Sequence, residues 1–244
     1  MESEKAKILP FYVLIDVSAS MSGRKLDEAN QIMPQVVDAL AEAPILADKV
    51  RFCVIDFGSD AQVRLPLCDV LDQHSSLPPL TIRGATSYAA AFRLLRSEIE
   101  INVKQLKADG YLVHRPAVFF ISDGEPTDPE HEWRTAFQEL TGYDKASGQG
   151  FSTYPNFVPC GVDQANPRTL ATLIHPASGP KQMQMYLMEQ GQNPADAIAA
   201  IAEILISSML ASGQSMAQGS SGMILPAKQD LPPGISAHSS DDFV

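Results

Sequence analysis

Short apolar runs of strand length alternate with longer segments of helical periodicity from Ile8 onward. In the longer segments, apolar residues recur at steps of three and four, so that one face of each helix is apolar. This alternation is typical of a sheet that is covered by helices on both faces. The sequence therefore predicts an α/β fold with a doubly wound, mostly parallel sheet.

Six segments are predicted to form the strands of this sheet. They are residues 8–15, 50–57, 61–68, 117–122, 151–160 and 181–186. Only Gly58, Ser59 and Asp60 separate the second segment from the third, which leaves no room for a crossover helix. The two are therefore predicted to form a hairpin, with the third as the one antiparallel strand at an edge of a six-stranded sheet.

Helices are predicted between these strands. The apolar stripe of the first helix is Leu26, Ala29, Met33, Val36 and Leu40. Pro34 is predicted to bend this helix, because proline cannot donate a hydrogen bond to the carbonyl of Asn30. Trp133 lies in a later stripe and is predicted to pack in the core. The last long helix is predicted to begin after Asn193 and Pro194, which suit an N-cap and a first turn.

Residues 8–211 are expected to form one domain, preceded by an N-terminal arm at residues 1–7. From residue 212 the sequence is rich in Ser, Gly, Gln and Pro. Few apolar residues remain there to offset the entropy that is lost on ordering. Residues 212–244 are therefore predicted to be a disordered tail.

Acidic residues outnumber basic ones by 29 to 18, which gives a formal net charge of -11. This balance argues against nucleic acid as a partner, because phosphate contacts need clustered Lys and Arg. No apolar stretch is expected to approach the length of a membrane span, and the first residues lack the pattern of a signal peptide. We therefore expect a cytoplasmic protein that binds neither nucleic acid nor a membrane.

The segment Asp16-Val17-Ser18-Ala19-Ser20 directly follows the first predicted strand. It supplies one carboxylate and two hydroxyls, and hard cations such as Mg²⁺ prefer oxygen ligands of this kind. The same residue types are also common in turns and at helix N-caps. The segment alone is compatible with either role.

Two further segments carry oxygen-bearing side chains near the ends of predicted elements. Thr86 precedes a long helix, and Asp123 follows the strand at 117–122 and is itself followed by Gly124. Ligands of open α/β sheets bind at the carboxyl ends of the strands. Asp16, Thr86 and Asp123 are therefore expected to converge there. The alternative is that Asp16 and Thr86 cap helices and that Asp123 forms a turn.

The three segments together resemble the metal-ion-dependent adhesion site of the von Willebrand factor A family. That site is written as Asp-x-Ser-x-Ser, a distant Thr, and a distant Asp followed by Gly. Here those positions are Asp16, Ser18, Ser20, Thr86 and Asp123. Ala19 stands where many members have Gly between the serines, and it adds only a methyl group at a position that is not a ligand.

This resemblance implies a role for each site residue. In the family, the equivalents of Ser18 and Ser20 bind the metal directly, and that of Thr86 binds it directly or through water. The equivalents of Asp16 and Asp123 usually act through water. Hydroxyl ligands leave the cation electrophilic, so that a carboxylate of a partner protein can complete its shell. Mg²⁺ is the expected metal, with Mn²⁺ as the alternative.

Residues 9–16 and 122–128 are similar to bacterial tellurium-resistance proteins of the TerY group. This narrower resemblance implies an intracellular protein without catalytic activity, encoded beside a Ser/Thr kinase and a metal-dependent (PP2C-type) phosphatase. We therefore expect a cytoplasmic scaffold or sensor in tellurite or stress-response signalling, whose Mg²⁺ site binds a Glu or Asp side chain of a partner.

Two alternatives belong to other functional classes. A phosphotransferase of the haloacid dehalogenase type also has an Asp after its first strand, but it needs a second Asp at the position of Ser18. An extracellular adhesion module would share the fold and the metal site. The five histidines show no spacing typical of a metal site or a catalytic triad and are expected to be solvated. They are His74, His114, His131, His175 and His238.

Overall fold

The computed structural model describes residues 5–72, 79–219 and 222–243. Its strands are β1 (Lys7–Asp16), β2 (Val50–Phe57), β3 (Ala61–Cys68), β4 (Leu112–Val113), β5 (Ala117–Ser122), β6 (Tyr143–Asp144), β7 (Gln149–Gly150), β8 (Asn156–Gly161), β9 (Met185–Met188) and β10 (Ile235–His238). The main sheet has the order β10-β9-β8-β5-β1-β2-β3, with the short β4 beside β1, and β6 and β7 form a separate hairpin. Strand β3 pairs with β2, and β10 with β9, in antiparallel fashion; the other pairings of the main sheet are parallel.

Helices cover both faces of the sheet. They are α1 (Arg24–Ala29), α2 (Ile32–Ala41), α3 (Pro44–Ala47), α4 (Tyr88–Ala108), α5 (Glu130–Thr141), α6 (Pro167–Ala171) and α7 (Pro194–Ala217). Helices α4 and α5 pack against each other, while α1, α2 and α3 pack against α7. The predicted α/β fold with a doubly wound, mostly parallel sheet is confirmed.

The central strands begin and end close to the predicted residues. Strands β2, β3 and β5 have the predicted bounds, and β3 is an antiparallel edge strand as expected. Strand β8 begins at Asn156 and not at residue 151. Phe151 instead follows the β6–β7 hairpin, where its backbone N–H donates to the carbonyl oxygen of Gly142 at 2.9 Å.

The C-terminal region differs from the predicted disordered tail. The predicted boundary at residue 211 falls inside α7, and Ile235 of β10 pairs with Met188 of β9. The sheet therefore has a second antiparallel edge strand, so the prediction of six strands with one such edge was incomplete. The physical reason is that Ile235 and Ala237, within a region of polar composition, are only 4% and 6% exposed where β10 pairs with β9.

Parts of the predicted arm and tail lie outside the described residues. These parts are residues 1–4, 220, 221 and 244. Lys7, which was assigned to the arm, is already the first residue of β1.

The predicted bend at Pro34 is a break between two helices. Helix α1 ends at Ala29, and α2 begins at Ile32. Pro34 cannot donate to the carbonyl of Asn30, so the helical hydrogen-bond series is interrupted at this point. The side chain of Asn30 contacts a different segment of the chain. Its Oδ1 accepts a hydrogen bond from the backbone N–H of Leu80 at 2.7 Å.

Helix α7 is long and apolar enough to cross a membrane when judged by length and composition alone, with a mean hydropathy of 1.6 over its best window. The expectation that no stretch approaches such a length is therefore wrong by this measure. In the structure, 61% of that window is buried. Ile198, Ile201 and Leu205 are fully buried, so the apolar character of the helix is explained by its place in the core.

An aromatic cluster fills the core between the sheet and helices α4 and α5. The rings of Phe57 and Phe120 stack at 4.9 Å, and Tyr88 packs edge-on against both. Trp133 is 4% exposed and contacts Tyr88, as its predicted core position requires. Because Phe57 is the last residue of β2, this cluster supports the edge of the sheet where the predicted site lies.

Candidate metal site

The parallel pairing of β1 with β5 places two of the predicted segments side by side. Ile15 pairs with Ile121, so Asp16 and Ser122 emerge at the same edge of the sheet. The hydroxyl of Ser122 donates a hydrogen bond to Oδ2 of Asp16 at 2.8 Å. Tyr88 in turn donates to the hydroxyl of Ser122 at 3.1 Å. The buried hydroxyls of Ser122 and Tyr88 thus hold the carboxylate of Asp16 in place on its core side.

The first segment turns sharply after β1. Oδ1 of Asp16 accepts a hydrogen bond from the backbone N–H of Ser18 at 2.8 Å, which is the arrangement of an Asx turn. A short 3₁₀ turn follows at Ala19–Met21. This turn brings the hydroxyl oxygens of Ser18 and Ser20 to 3.0 Å from each other.

Ser20 connects the first segment with the third. Its hydroxyl donates a hydrogen bond to Oδ1 of Asp123 at 2.7 Å. Ser18, Ser20 and Asp123 therefore form one hydrogen-bonded series across two loops that are far apart in the sequence.

The backbone of the loop that carries Thr86 forms hydrogen bonds with both of the other loops. The carbonyl of Gly84 accepts from the N–H of Ala19 at 3.0 Å, and that of Thr86 accepts from the N–H of Thr127 at 2.8 Å. Thr86 is 6% exposed, and within the described part of the chain its side-chain hydroxyl has no hydrogen-bond partner. Asp16 at the end of β1 and the other four predicted residues thus lie in or next to three loops that are hydrogen-bonded to one another.

Gly58 permits the close approach of this loop to the end of β2. A Cβ atom at Gly58 would lie 1.9 Å from the carbonyl oxygen of Arg83. The N–H of Ser87 donates to the carbonyl of Gly58 at 2.7 Å, and the guanidinium of Arg83 forms a salt bridge with the buried Asp56. These contacts fix the start of α4, and with it Thr86, against the sheet.

The site has a buried side and an exposed side. Asp16, Ser18 and Asp123 are 0%, 2% and 1% exposed. The neighbouring Ala19 and Ser20 are exposed. The buried carboxylates therefore lie next to Ser20, which is exposed to solvent.

Sequence reasoning missed two charged residues at this site. The ammonium of Lys25 contacts Oδ2 of Asp123 at 2.5 Å and Oδ2 of Asp163 at 2.7 Å. Lys25 reaches Asp123 because the chain turns at Gly23, whose φ is +78°, before α1 begins. Neither the turn nor the loop that carries Asp163 has a sequence signal that would have predicted this contact.

Burial and neighbouring charges shift the pKa of several groups here. Burial raises the pKa of Asp16 to about 6, against the hydrogen bonds from Ser18 and Ser122, and the nearby Asp123 raises it further. Burial alone would lower the pKa of Lys25, but its bonds to Asp123 and Asp163 outweigh this effect and raise it. The same contact with Lys25 lowers the pKa of Asp163.

The available ligand atoms suit a hard divalent cation. They are hydroxyl and carboxylate oxygens, which match Mg²⁺ or Mn²⁺ better than a soft metal. Among residues 5–72, 79–219 and 222–243, no three His, Cys, Asp or Glu side chains cluster as a metal site would require. A metal here would therefore depend on Ser and Thr hydroxyls. That these five residues bind metal stays a prediction.

The sheet and its connected loops have the fold of von Willebrand factor type A domains. Residues 11–125 match the family model that is described as the von Willebrand factor type A domain. The matched stretch contains all five predicted site residues and ends before β8. No curated protein matches the chain in sequence.

Solved structures with this fold resemble most of the chain. The D319A mutant of the PilB minor pilin from Streptococcus sanguinis is 8% identical, with a TM-score of 0.56 over 90% of this chain and 65% of that one. The pilus adhesin SpaC from Lactobacillus rhamnosus GG, in its open conformation, is 12% identical, with a TM-score of 0.55 over 85% and 30%.

A third structure is that of proximal thread matrix protein 1 from the mussel byssus, with a zinc-occupied MIDAS motif. It is 15% identical, with a TM-score of 0.50 over 85% of this chain and 49% of that one. The chain thus spans less than two thirds of the length of each of these three proteins. At such identities, the likeness shows the fold alone.

Proposed function

We propose that this chain is a von Willebrand factor type A protein that binds a partner through a divalent metal ion and has no catalytic activity of its own. The observation that carries this proposal is the hydrogen-bonded series of Ser18, Ser20 and Asp123, in which Ser18 and Asp123 are buried and Ser20 is exposed to solvent. A cation held by this series would keep a solvent-facing position for an oxygen of another molecule.

The proposed ligands are those that the family resemblance implies. Ser18, Ser20 and Thr86 would bind the metal through their hydroxyls, and Asp16 and Asp123 would hold its water ligands. Mg²⁺ is the proposed metal, with Mn²⁺ as the alternative, because both accept oxygen ligands. The zinc-occupied site of the mussel byssus protein makes Zn²⁺ a useful third cation in the tests.

The proposed partner group is a Glu or Asp carboxylate. Neutral hydroxyl ligands leave most of the cation's charge uncompensated, and this charge would attract an anionic oxygen. The protein itself has a net charge of -11, so an acidic partner would be repelled by the protein surface at long range. Binding of such a partner would therefore depend strongly on the metal.

The cellular role that we propose is that of a cytoplasmic scaffold or sensor. Residues 9–16 and 122–128 are similar to those of TerY-type proteins, which supports a place in tellurite or stress-response signalling with a Ser/Thr kinase and a PP2C-type phosphatase. An extracellular adhesion module is the alternative. Fractionation of the producing cells distinguishes the two roles.

The lack of catalysis is proposed from the residue at position 18. A phosphotransferase of the haloacid dehalogenase type needs a second Asp there, but Ser18 donates its backbone N–H to Asp16 and its hydroxyl contacts Ser20. Turnover of a generic aryl phosphate that is abolished by Asp16→Asn would overturn this part of the proposal.

Titration calorimetry with Mg²⁺, Mn²⁺ and Zn²⁺ tests the metal site directly. The wild type is expected to bind at least one of these cations, and Asp16→Asn is expected to bind it more weakly. Asp128→Asn is the matched control, because the carboxylate of Asp128 accepts a hydrogen bond from the N–H of Ala89 at the start of α4 and belongs to the same loop as Asp123. Equal affinity in Asp16→Asn and the wild type would overturn the site assignment.

A pull-down with and without EDTA tests the interaction. We expect a partner that is retained by the wild type in Mg²⁺ and lost in EDTA. We also expect that partner to be lost in Thr86→Ala, because the hydroxyl of Thr86 is a proposed metal ligand. Retention that depends on neither EDTA nor Thr86 would contradict metal-dependent binding.

A further inference from the structure

Lys25 is a partly buried cation at the edge of the candidate metal site. Its side chain is 13% exposed, and its ammonium contacts Asp123, whose side chain is fully buried. The preceding residue, Arg24, has the same charge but is 71% exposed and lies 3.8 Å from Asp196 of α7. Helix α1 therefore begins with two basic residues, of which only Lys25 reaches the site.

Asp123 has two separate sets of contacts. Its Oδ1 accepts from the hydroxyl of Ser20, which is a proposed metal ligand, and its Oδ2 is bonded to Lys25. A divalent cation and the ammonium of Lys25 would thus both interact with one carboxylate. Because they repel each other, each weakens the binding of the other.

Asp163 provides a second acceptor for the ammonium. It follows β8, its side chain is 30% exposed, and it contacts Lys25 at 2.7 Å. Lys25 can therefore keep an anionic partner even where Asp123 interacts with another cation. The more strongly Asp163 holds Lys25, the less Lys25 opposes that cation.

We propose that Lys25 is an internal counter-cation that sets the metal affinity of this site. Its ammonium neutralises the buried Asp123 when no metal is bound and opposes a divalent cation at the same carboxylate, while Asp163 draws the ammonium away. Lys25 is a positioning and affinity-determining residue and is not itself a metal ligand. The inference rests on the proposed function of the site.

The expected effects have opposite signs at the two positions. Lys25→Gln removes the opposing charge and is expected to tighten Mg²⁺ binding by about tenfold or more, since a unit charge near a dication opposes it by that much even in a water-like dielectric. Asp163→Asn is expected to weaken binding by about threefold or more, because Lys25 then has Asp123 as its main anionic partner.

Two control variants isolate this effect. Arg24→Gln makes the same change of charge on the neighbouring exposed residue and is expected to leave the Mg²⁺ affinity within about twofold of the wild type. Lys25→Arg keeps the charge and is expected to behave like the wild type. Asn is also a suitable replacement at position 163, because Asp163 has a φ of +54° and Asn tolerates this conformation.

The experiment is calorimetric titration of each variant with Mg²⁺ and with Mn²⁺, together with the melting temperature in EDTA and in each metal. In EDTA, Lys25→Gln is expected to melt below the wild type, because Asp123 loses its counter-ion, and the metal is expected to raise its melting temperature more than that of the wild type. Asp163→Asn is expected to change the Mg²⁺ affinity less in a protein that also carries Lys25→Gln than in the wild type, because Asp163 acts through Lys25.

The outcomes separate this inference from the proposed function. If the wild type binds metal and Lys25→Gln binds it no more tightly, the inference is wrong and the proposed function stands. If only Lys25→Gln binds metal, the opposing effect of Lys25 is supported, but the proposed metal-dependent function of the wild type is wrong. If neither binds, both are wrong. Should Lys25→Gln fail to fold, Asp163→Asn decides the question, and unchanged or tighter binding by that variant would overturn the inference.

Discussion

Ser122 connects two buried polar side chains beneath the candidate metal site. Its hydroxyl donates to Asp16 and accepts from Tyr88, and all three residues are fully buried. Each member of this series needs its hydrogen-bond partner, because a buried polar atom without a hydrogen bond lowers the stability of the protein. Ser122 begins one of the two segments that resemble the TerY group, but its contact with Asp16 depends on the pairing of β1 with β5, which the sequence does not show.

Ser122→Ala is expected to lower the free energy of unfolding by about 1–3 kcal/mol, because Oδ2 of Asp16 loses its donor in a buried position. It is also expected to raise the pKa of Asp16 further, since the bond from Ser122 lowers that pKa. Urea unfolding and an NMR titration of the carboxyl group measure the two effects.

Tyr88→Phe is the matched control for Ser122→Ala. It removes a hydroxyl from the same series but keeps the bond between Ser122 and Asp16. A Tyr88→Phe variant that shifts the Asp16 pKa as much as Ser122→Ala does would contradict this assignment of roles.

His175 was expected to be solvated, but the structure places its side chain in a different environment. Its ring packs edge-on against Tyr154 at 5.4 Å, and within the described chain its buried Nε2 has no hydrogen-bond partner. Burial, with a smaller effect from the positive charge of Arg115, lowers its pKa from 6.5 to about 4. The folded protein therefore holds this ring in its neutral form.

The stability of the protein is expected to fall between pH 6.5 and pH 4 because of His175. The unfolded chain takes up a proton near pH 6.5 and the folded chain only near pH 4, so protonation favours unfolding in this window. Once solvent screening of this partly exposed ring is allowed for, the expected loss from this group is about 2 kcal/mol.

The difference in unfolding free energy between the wild type and His175→Phe, measured from pH 4 to pH 7.5, reports this contribution. The comparison is made at each pH because Asp16, with its raised pKa, acts in the opposite direction over part of the same range. A difference that does not change with pH would show that His175 is not the cause.

At the scale of elements, the site depends on how closely the connection before α4 approaches the end of β2. Gly58 allows this approach, and the backbone of residues 83–87 is bonded there at several points. That the three motif segments lie close together could be predicted from the sequence, because their residue types and order are specific. The need for Gly58 could not, because it depends on the distance between two backbone segments.

Gly58→Ala is expected to lower the free energy of unfolding by about 2 kcal/mol or more and to weaken metal binding. The new methyl group would overlap the carbonyl oxygen of Arg83, so the connection that holds Thr86 must move away from the sheet. Thermal unfolding and Mg²⁺ titration measure the two effects.

Gly124→Ala is the control for this variant, although it lies directly beside Asp123. A Cβ atom there would meet no atom within 4 Å among the described residues, and its φ is not positive. It is expected to keep both stability and metal affinity. If Gly124→Ala lowers stability and metal affinity as much as Gly58→Ala does, then any added side chain in these loops disturbs the site, and the contact at Gly58 is not special.

At the scale of the whole molecule, the second half of the sheet ends with a strand from the C-terminal region. The bounds of β2, β3 and β5 could be predicted because each is a continuous apolar run with turn residues beside it. Strand β10 could not, because Ile235–His238 is short and lies among polar residues. Its burial comes from pairing with β9, which is a contact between distant parts of the chain.

The same change from Ile to Ser at a buried and at an exposed position tests whether the C-terminal region packs against the domain. Ile235→Ser is expected to lower the free energy of unfolding by about 3 kcal/mol, because Ile235 is 4% exposed and pairs in the sheet. Ile224→Ser is expected to cost less than about 1 kcal/mol, because Ile224 is 40% exposed. Urea unfolding compares them, and equal small effects would instead indicate a tail that does not pack.

The three loops of the candidate site are bonded to one another through backbone atoms as well as side chains. A partner would therefore meet a surface that is already in place, and no slow folding of a loop would precede capture. The rate of encounter would then be governed by long-range charge. Because the protein is strongly acidic and the proposed partner group is also anionic, added salt would speed association by screening their repulsion, the reverse of what is found for oppositely charged partners.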